Sequence, residues 1–303
     1  MVKTLIVLNP HAGNGRAERV LQQIEARLQN VLGDFTLAVT THPDDVMQHL
    51  ADARANGATQ VISIGGDGTN HVLINALATI NEQATDAAPM IYGNLPFGTG
   101  RDWARASGIP LKIEAAVEWL AHAQARPVDV GQVMIDDRRE FFLNIASAGI
   151  SGYVAEAANN VKHRYPWAFL QAVVSGIIHQ QRKHLYIRLD DAAWYDGRAY
   201  AVVVANGTTF GRGMKIAPEA QIDDGLFDVI VVKDTAKRTV LAALWRVYNG
   251  SHLSHPAVAY RKARIVDIRS PEGILGMEAD GEVKHGHALN FEIRPGLLKM
   301  LLP

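Results

Sequence analysis

Apolar and polar positions follow two different rhythms along this chain. Up to about Pro127, short apolar runs take turns with stretches whose apolar residues recur at helical spacing. Thr4–Leu8, Phe35–Thr40, Val61–Ile64 and Met90–Leu95 are compact runs that predict strands. Between them Ala17–Leu28, with Val20, Leu21, Ile24 and Leu28 on one side, predicts a helix, as do Asp44–Ala55, Val72–Ile80 and Ile113–Ala121. Strands alternating with helices imply a doubly wound, Rossmann-like parallel sheet, with ligands beyond the carboxyl ends of the strands.

From Val128 onward the rhythm shortens. Val130–Ile135, Arg139–Ala146, Leu185–Leu189, Arg198–Ala205, Leu226–Val232, Ala263–Ser270 and Ile274–Glu278 read as strands, joined by turn signals such as Asp136-Asp137 and Asp196-Gly197. Two helical stretches interrupt them, Gly152–Gln180 with a break at Pro166, and Thr235–Tyr248. The tail FEIRPGLLKMLLP predicts one more strand and a closing segment. The expected plan is an α/β domain over residues 1–128 and a mostly-β sandwich or flattened barrel over 129–289.

Composition narrows the classes. At 303 residues the chain has room for two domains, and 48% hydrophobic with 20% charged residues is ordinary globular composition. A net charge of −1 supplies no global field for nucleic acid. With no cysteine there are no disulfides or thiolate metal sites, as expected of a cytoplasmic protein. MVKTLIVLNP lacks a signal peptide's long apolar segment, and Trp167–Ile178 is too short to span a bilayer.

The candidate chemistry lies where predicted strands end. VISIGGDGTN (61–70) breaks from a strand into Gly65, Gly66, Asp67, Gly68 and Thr69 before a helix; LPFGTGRD (95–102) follows the next strand, and NPHAGNGR (9–16) follows the first. Glycines admit positive φ or close approach of another group, and a helix N-terminus favours an anion. Taken alone, GGDGT is also an ordinary strand-to-helix turn. Three such loops on one sheet edge suit a nucleotide's phosphates and ribose. There is no Walker A sequence, and GNGRAE lacks the third glycine of a dinucleotide fingerprint.

GGDGT, LPFGTGRD, ANGTTFGRGMKIAPEAQIDDGLFD (205–228) and DGE (280–282), in that order, resemble the diacylglycerol kinase catalytic-domain family, and within it the soluble bacterial lipid kinases. The resemblance implies an ATP- and Mg²⁺-dependent lipid kinase, with a nucleotide-binding α/β domain, a β-sandwich acceptor domain, and the nucleotide in the cleft. It also implies that residues 290–303 return to the first domain. It places Asn9, Thr40, Gly65, Gly66, Asp67, Gly68, Thr69, Asn70 and Thr99 at ATP. Gln221 and Leu226, through carbonyls, and Asp224, through its carboxylate, fall at Mg²⁺. Glu282 falls at the proton acceptor, with Asp67 and Asp102 completing an acidic network. From the residues alone, IDDGLFD and DGE are equally ordinary turns.

The implied acceptor is a lipid hydroxyl, diacylglycerol-like, phosphatidylglycerol-like or sphingoid, and peripheral membrane contact is expected. Val161–His184, apolar between basic ends, reads either as a membrane-contacting lid or as a core helix; Arg261-Lys262 either touches anionic headgroups or lies on a solvated face. His252, His255, His285 and His287 are expected on the surface. Three positions depart from the family's pattern: His71 and Val72 displace a helix-opening Glu, and Arg101 replaces an Asn. These keep open a catalytically weak lipid- or nucleotide-binding protein, while the later blocks argue against an NAD kinase.

Overall fold

The computed structural model describes residues 3–83, 88–98, 100–159, 168–211 and 213–303. It divides into two compact units, Met1–Asp129 with Pro295–Pro303, and Val130–Arg294.

The first unit runs β1 (Thr4–Leu8), α1 (Ala12–Gly15), α2 (Ala17–Leu32), β2 (Phe35–Val39), α3 (Asp45–Ala55), β3 (Gln60–Gly65), α4 (Asp67–Gln83), β4 (Ile91–Pro96), α5 (Asp102–Ala106) and α6 (Ile113–Leu120). β2, β1, β3 and β4 pair side by side and parallel, in that order. The last strand of the chain adds to β4, with Lys299 opposite Ile91. β1 and β3 are buried along their whole length, as strands covered on both faces must be. α2 buries Ala17, Leu21, Ile24 and Leu28 against that sheet and α6, so its helical apolar spacing becomes the packing stripe. α4 begins at Asp67, a full turn before the predicted Val72. The Gly66 carbonyl accepts the Asn70 N–H at 3.0 Å, and an acidic residue in a first turn complements the helix dipole.

The second unit is β-rich: β5 (Gln124–Ile135, entering from the first unit), β6 (Arg138–Phe142), β7 (Ile145–Gly149), α7 (Ile150–Asn159), α8 (Ala168–His179), β8 (Lys183–Leu189), β9 (Ala192–Ala205), β10 (Phe227–Lys233), α9 (Lys237–Ala243), α10 (Arg246–Asn249), β11 (Val258–Ala263), β12 (Ile265–Arg269), β13 (Leu275–Ala279), β14 (Glu282–Gly286) and β15 (Ala288–Leu302). Its strands are antiparallel, in the order β14-β13-β7-β9-β8-β12-β15. The inner faces share a core of aliphatic residues around Phe142, Phe227 and Phe291.

Two predicted strands differ for one recurring reason. Asp136, Asp190 and Asp280 sit at β-turns with φ of 52°, 52° and 49°. Each carboxylate reaches the backbone N–H groups where another strand begins. Asp136 takes His287 and Ala288 at the start of β15, and Asp190 takes Arg264 and Ile265 at the start of β12. Asp280 takes Leu143, Asn144 and Ile145 at the start of β7. The expected strands Arg139–Ala146 and Ala263–Ser270 are therefore each split, because amides at the break are bound by an aspartate distant in sequence. The β8–β9 turn is Asp190-Asp191, leaving Asp196-Gly197 inside β9 opposite Tyr186 and Leu185. Thr235–Tyr248 forms two short helices rather than one.

α8 is a core-packed helix: Ala168, Ala172, Gly176 and Ile177 are buried, and Phe169 and Val173 pack against the neighbouring cluster. The preceding residues 160–167, with Lys162, Arg164, Tyr165 and Trp167, lie outside the described residues. Among the described residues no helix is long and apolar enough to cross a membrane.

Candidate active site

Parallel pairing puts the loops that follow β1, β3 and β4 at the same edge of the first unit's sheet. Asn9, directly after β1, donates its backbone N–H to Ile64 at 3.3 Å and its side-chain amide to Thr69 Oγ1 at 3.0 Å. Phe97, directly after β4, donates to the Gly65 carbonyl at 2.8 Å. The three loops thus lean on one another through the GGDGT segment.

The glycines serve this close approach. None of Gly65, Gly66, Gly68, Gly98 or Gly100 has a positive φ. A Cβ on Gly98 would stand 2.7 Å from the Gly66 Cα, and one on Gly65 2.5 Å from the Thr69 Cβ. A Cβ on Gly100 would overlap the Asp67 carboxylate and lie 3.9 Å from Asp102 Oδ2. The two acidic residues therefore flank one glycine.

Asp67 accepts the backbone N–H of Arg101 at 2.7 Å and of Asp102 at 3.2 Å, joining the first turn of α4 to the opening of α5. Arg101 has φ 59°, the left-handed conformation that turns both amides toward this carboxylate. Asp102 pairs with Arg105 at 3.2 Å, and Arg105 also donates to the Gly100 carbonyl. One guanidinium thus offsets part of the negative charge at the loop. The Arg101 side chain donates to the Leu111 carbonyl at 2.8 Å. Its substitution for Asn therefore anchors the following loop.

Two of the expected nucleotide residues are committed inward. Thr40 is buried and donates its hydroxyl to the Leu8 carbonyl at 3.2 Å. Asn70 is buried beneath the loops, and its carbonyl oxygen accepts Ser63 Oγ at 3.2 Å, Tyr92 OH at 2.8 Å and Asn94 Nδ2 at 2.9 Å. Burial pushes the Tyr92 phenol far above its ordinary pKa and keeps it a donor. His71 is buried one residue on, with Asn75 at 3.4 Å, while Val72 is half-buried. Gly68 is exposed, Asn9 and Thr69 are half-buried, and Thr99 lies outside the described residues.

In the second unit, Glu282 is exposed at the start of β14, immediately after the Asp280-Gly281 turn. That turn is fixed from two sides. Asp280 binds three amides of 143–145 at 2.7–3.1 Å, and buried Glu278 accepts Ser147 Oγ at 2.6 Å and the Gly281 N–H at 2.9 Å. Asn144 and Asn206 are buried beside it; they donate to the Thr209 and Leu143 carbonyls, both at 2.8 Å. Of this group, Asn144, Glu278 and Ser147 lie outside every motif, and Asn206 lies within ANGTT without standing out there. A polar residue at an inward strand position was the available signal.

The IDDGLFD loop is organised around a lysine. Asp224 accepts the Leu226 N–H at 3.0 Å with one oxygen and the Lys262 ammonium at 2.7 Å with the other. Lys262 also stands 3.3 Å from buried Asp228, which accepts the Tyr260 hydroxyl at 2.7 Å. Burial raises the Asp228 pKa against the pull of Tyr260 and Lys262. For Lys262, burial works downward but the two carboxylates prevail, and its pKa rises. A dication at Asp224 would share that carboxylate with the Lys262 ammonium, which would have to give way for Gln221, Asp224 and Leu226 to act as magnesium ligands. Among the described residues no group of three or more His, Cys, Asp or Glu side chains is placed to hold a metal. Lys262 is thus no member of a solvated basic face. Nor is His252 on the surface: it is buried, with Nε2 2.8 Å from the Ile216 carbonyl.

Comparison with known proteins identifies both units. Residues 3–133 match the diacylglycerol kinase catalytic domain, and residues 144–302 match the YegS C-terminal NAD kinase beta sandwich-like domain. A Pseudomonas fluorescens protein named "Probable lipid kinase YegS-like" is 30% identical, over 99% of this chain and 95% of its own. A Pseudomonas putida protein of the same name is 31% identical over 88% of this chain and 84% of its own. In fold, the crystal structure of a diacylglycerol kinase from Bacillus anthracis superposes with a TM-score of 0.76 at 22% identity, covering 99% of this chain and 97% of the other. The chain belongs to the diacylglycerol kinase catalytic-domain family, in its YegS-like group, and is a kinase.

Proposed function

We propose that this kinase transfers the γ-phosphoryl group of ATP, taken as its magnesium complex, to a hydroxyl of a lipid of the diacylglycerol, phosphatidylglycerol or sphingoid type. The observation that carries the reading is the meeting of Asp67 and Asp102 at Gly100, between loops in which a Cβ on Gly65, Gly98 or Gly100 would clash. Phosphoryl transfer needs fixed donors and acidic groups around a highly charged phosphate, more than it needs covalent chemistry. The N-terminus of α4, with Gly65, Gly66, exposed Gly68 and Thr69, supplies backbone and hydroxyl donors to the phosphates, and Asn9 completes the edge; the family resemblance adds Thr99 to this set. Asp67 and Asp102 would hold magnesium, Asp102 in competition with the Arg105 guanidinium, and the ion would offset charge on the phosphates. Thr40 and Asn70 act from beneath, by holding the strand ends and the first turn of α4. Glu282, exposed on a doubly anchored turn, accepts the proton of the lipid hydroxyl.

Support comes from the family match and the curated relatives' name. A catalytically weak binding protein would be favoured had Arg101 disrupted its loop, but its backbone serves Asp67 and its side chain Leu111. The test is purified chain with labelled ATP, Mg²⁺ and a detergent-dispersed lipid extract, read by mass. Labelled lipid is expected, with Glu282→Gln retaining ATP binding and losing turnover. Absence of labelled lipid, together with unchanged ATP binding in Asp67→Ala, would overturn the proposal. Unchanged turnover in Glu282→Gln would remove that residue from the acceptor role.

A further inference from the structure

Charge is unevenly spread along this chain. Between Asp234 and Asp267 there is no acidic residue, while six Lys and Arg residues occur, in a chain whose net charge is −1. Two of the six are engaged within the second unit: Lys262 by Asp224 and Asp228, and Lys237 by the Ile178 carbonyl. Arg238 and Arg246 have no carboxylate partner among the described residues. They line, with Thr239, Ala242, Ala243 and His255, an open hollow of about 570 Å³ on α9 and α10.

The same segment carries aromatic residues outward, Trp245 between the two helices and Tyr248 on α10. Trp245 is 63% exposed and Tyr248 43%, and Trp245 is the most exposed of the large apolar side chains among the described residues. The inward side is pinned: Val240 and Leu241 pack on Ile150, Ile177 and Tyr200, and Leu244 and Val247 join the cluster around Met214 and Ile216. The outward face, Arg238, Ala242 and Trp245, is therefore held in place by packing. The exposed indole leaves apolar ring surface in water, beside arginines whose charge no carboxylate among the described residues offsets. It is well matched to a bilayer interface, where the indole sits at headgroup depth and the guanidiniums meet phosphates.

We propose that the α9–α10 face is a docking surface for an anionic lipid bilayer, with Arg238 and Arg246 receiving headgroup phosphates in the hollow and Trp245 entering the interface. Charge complementarity commits the face to a membrane carrying net negative lipid. This deepens the lipid-kinase reading and rests on it, because it supplies the means by which a chain without a membrane-spanning helix among its described residues would meet its acceptor.

The test is co-sedimentation of the full chain, without nucleotide, with vesicles of phosphatidylcholine alone or of equal parts phosphatidylcholine and phosphatidylglycerol. Binding is expected only to the anionic vesicles and falls as salt is raised. Arg238→Glu with Arg246→Glu should weaken it by at least roughly tenfold. On vesicle addition, native chain should show a blue shift of tryptophan emission that Trp245→Phe lacks. Far-UV circular dichroism and melting of the variants should match native chain, since Arg238 and Trp245 are exposed and half-buried Arg246 opens onto the hollow. The arginine variant should still phosphorylate detergent-dispersed lipid while losing activity on vesicles. Equal binding to neutral and anionic vesicles, or undiminished binding by the arginine variant, overturns the proposal. So does a change in oligomeric state with Trp245→Phe and no vesicle binding, which would make the face an interface between copies. Anionic-vesicle binding without any lipid phosphorylation would leave this surface standing and remove the lipid-kinase reading; the reverse result removes only the surface.

Discussion

Replacing Asp280 separates two effects that coincide at one residue. Its carboxylate binds the N–H groups of Leu143, Asn144 and Ile145 at 2.7, 3.0 and 3.1 Å, and its own φ is 49°. Those three residues are at most 6% exposed, so loss of the acceptor strands their amides. An unsatisfied buried N–H costs about 1–3 kcal/mol, and water at the half-buried Asp280 position relieves part of it, so Asp280→Ala should destabilise by about 3 kcal/mol. Asp280→Gly removes the same acceptor but relaxes the left-handed backbone, recovering roughly 1 kcal/mol. Asp280→Asn keeps one acceptor oxygen and tolerates the backbone, so it should be the mildest. For a unit of this size each kcal/mol shifts Tm by roughly 2–4 °C, placing Asp280→Ala about 6–12 °C below the native chain. Differential scanning calorimetry should give the order native, Asn, Gly, Ala, and hydrogen exchange should show faster exchange at Leu143–Ile145. If Asp280→Gly melts at or above the native temperature, backbone strain outweighs the carboxylate and the anchoring argument is wrong.

Three further outcomes test other parts of the fold. Gly98→Ala places a Cβ 2.7 Å from the Gly66 Cα, whereas Gly66→Ala places one 3.4 Å from the Gly98 Cα. The first should cost about 1–3 kcal/mol in urea unfolding and weaken ATP binding, the second clearly less; equal effects would refute the packing role. Lys262→Met leaves Asp224 and Asp228 without their cation and should destabilise by about 2 kcal/mol, with added Mg²⁺ raising the melting temperature of the variant more than that of native chain. A saturable Mg²⁺ stabilisation of native chain that Lys262→Met lacks would reverse the assignment. For His252, burial lowers the pKa, so the unfolded chain takes up a proton near pH 6.5 while the folded chain resists it to lower pH. Stability from this group is complete above that value and is lost as pH falls through the depressed folded pKa. His252→Gln should be less stable at pH 8 and show a shallower decline from pH 7 to pH 5; an unchanged slope would acquit His252.

Much of the plan is legible from local pattern. β1 is a run of adjacent apolar residues, and β3 and β4 are mostly apolar, because both faces of a parallel strand are covered, and α2 shows its packing stripe because helical spacing is local. The glycine blocks are equally visible, since the need for a missing Cβ is written in the residue itself. Boundaries were less legible. α4 begins inside GGDGT because its first turn is completed by the Gly66 carbonyl, which no apolar period reports.

The partners of individual polar side chains were decided only by the tertiary structure. Asp67 could be read as an acidic group near phosphate, but its hold on the amides of residues 101 and 102 depends on β3 and β4 being neighbours. Asp224 belongs to a metal-like motif, yet β10 pairing with β11 sets Lys262 opposite Asp228 and within reach of Asp224. Asp280 looks like half of an ordinary Asp-Gly turn until β13 lies beside β7. A local sequence determines which backbone shapes are cheap and which faces are apolar. Which charge meets which is set by strand order, because the meeting groups lie dozens to more than a hundred residues apart and only sheet pairing brings them within hydrogen-bond distance.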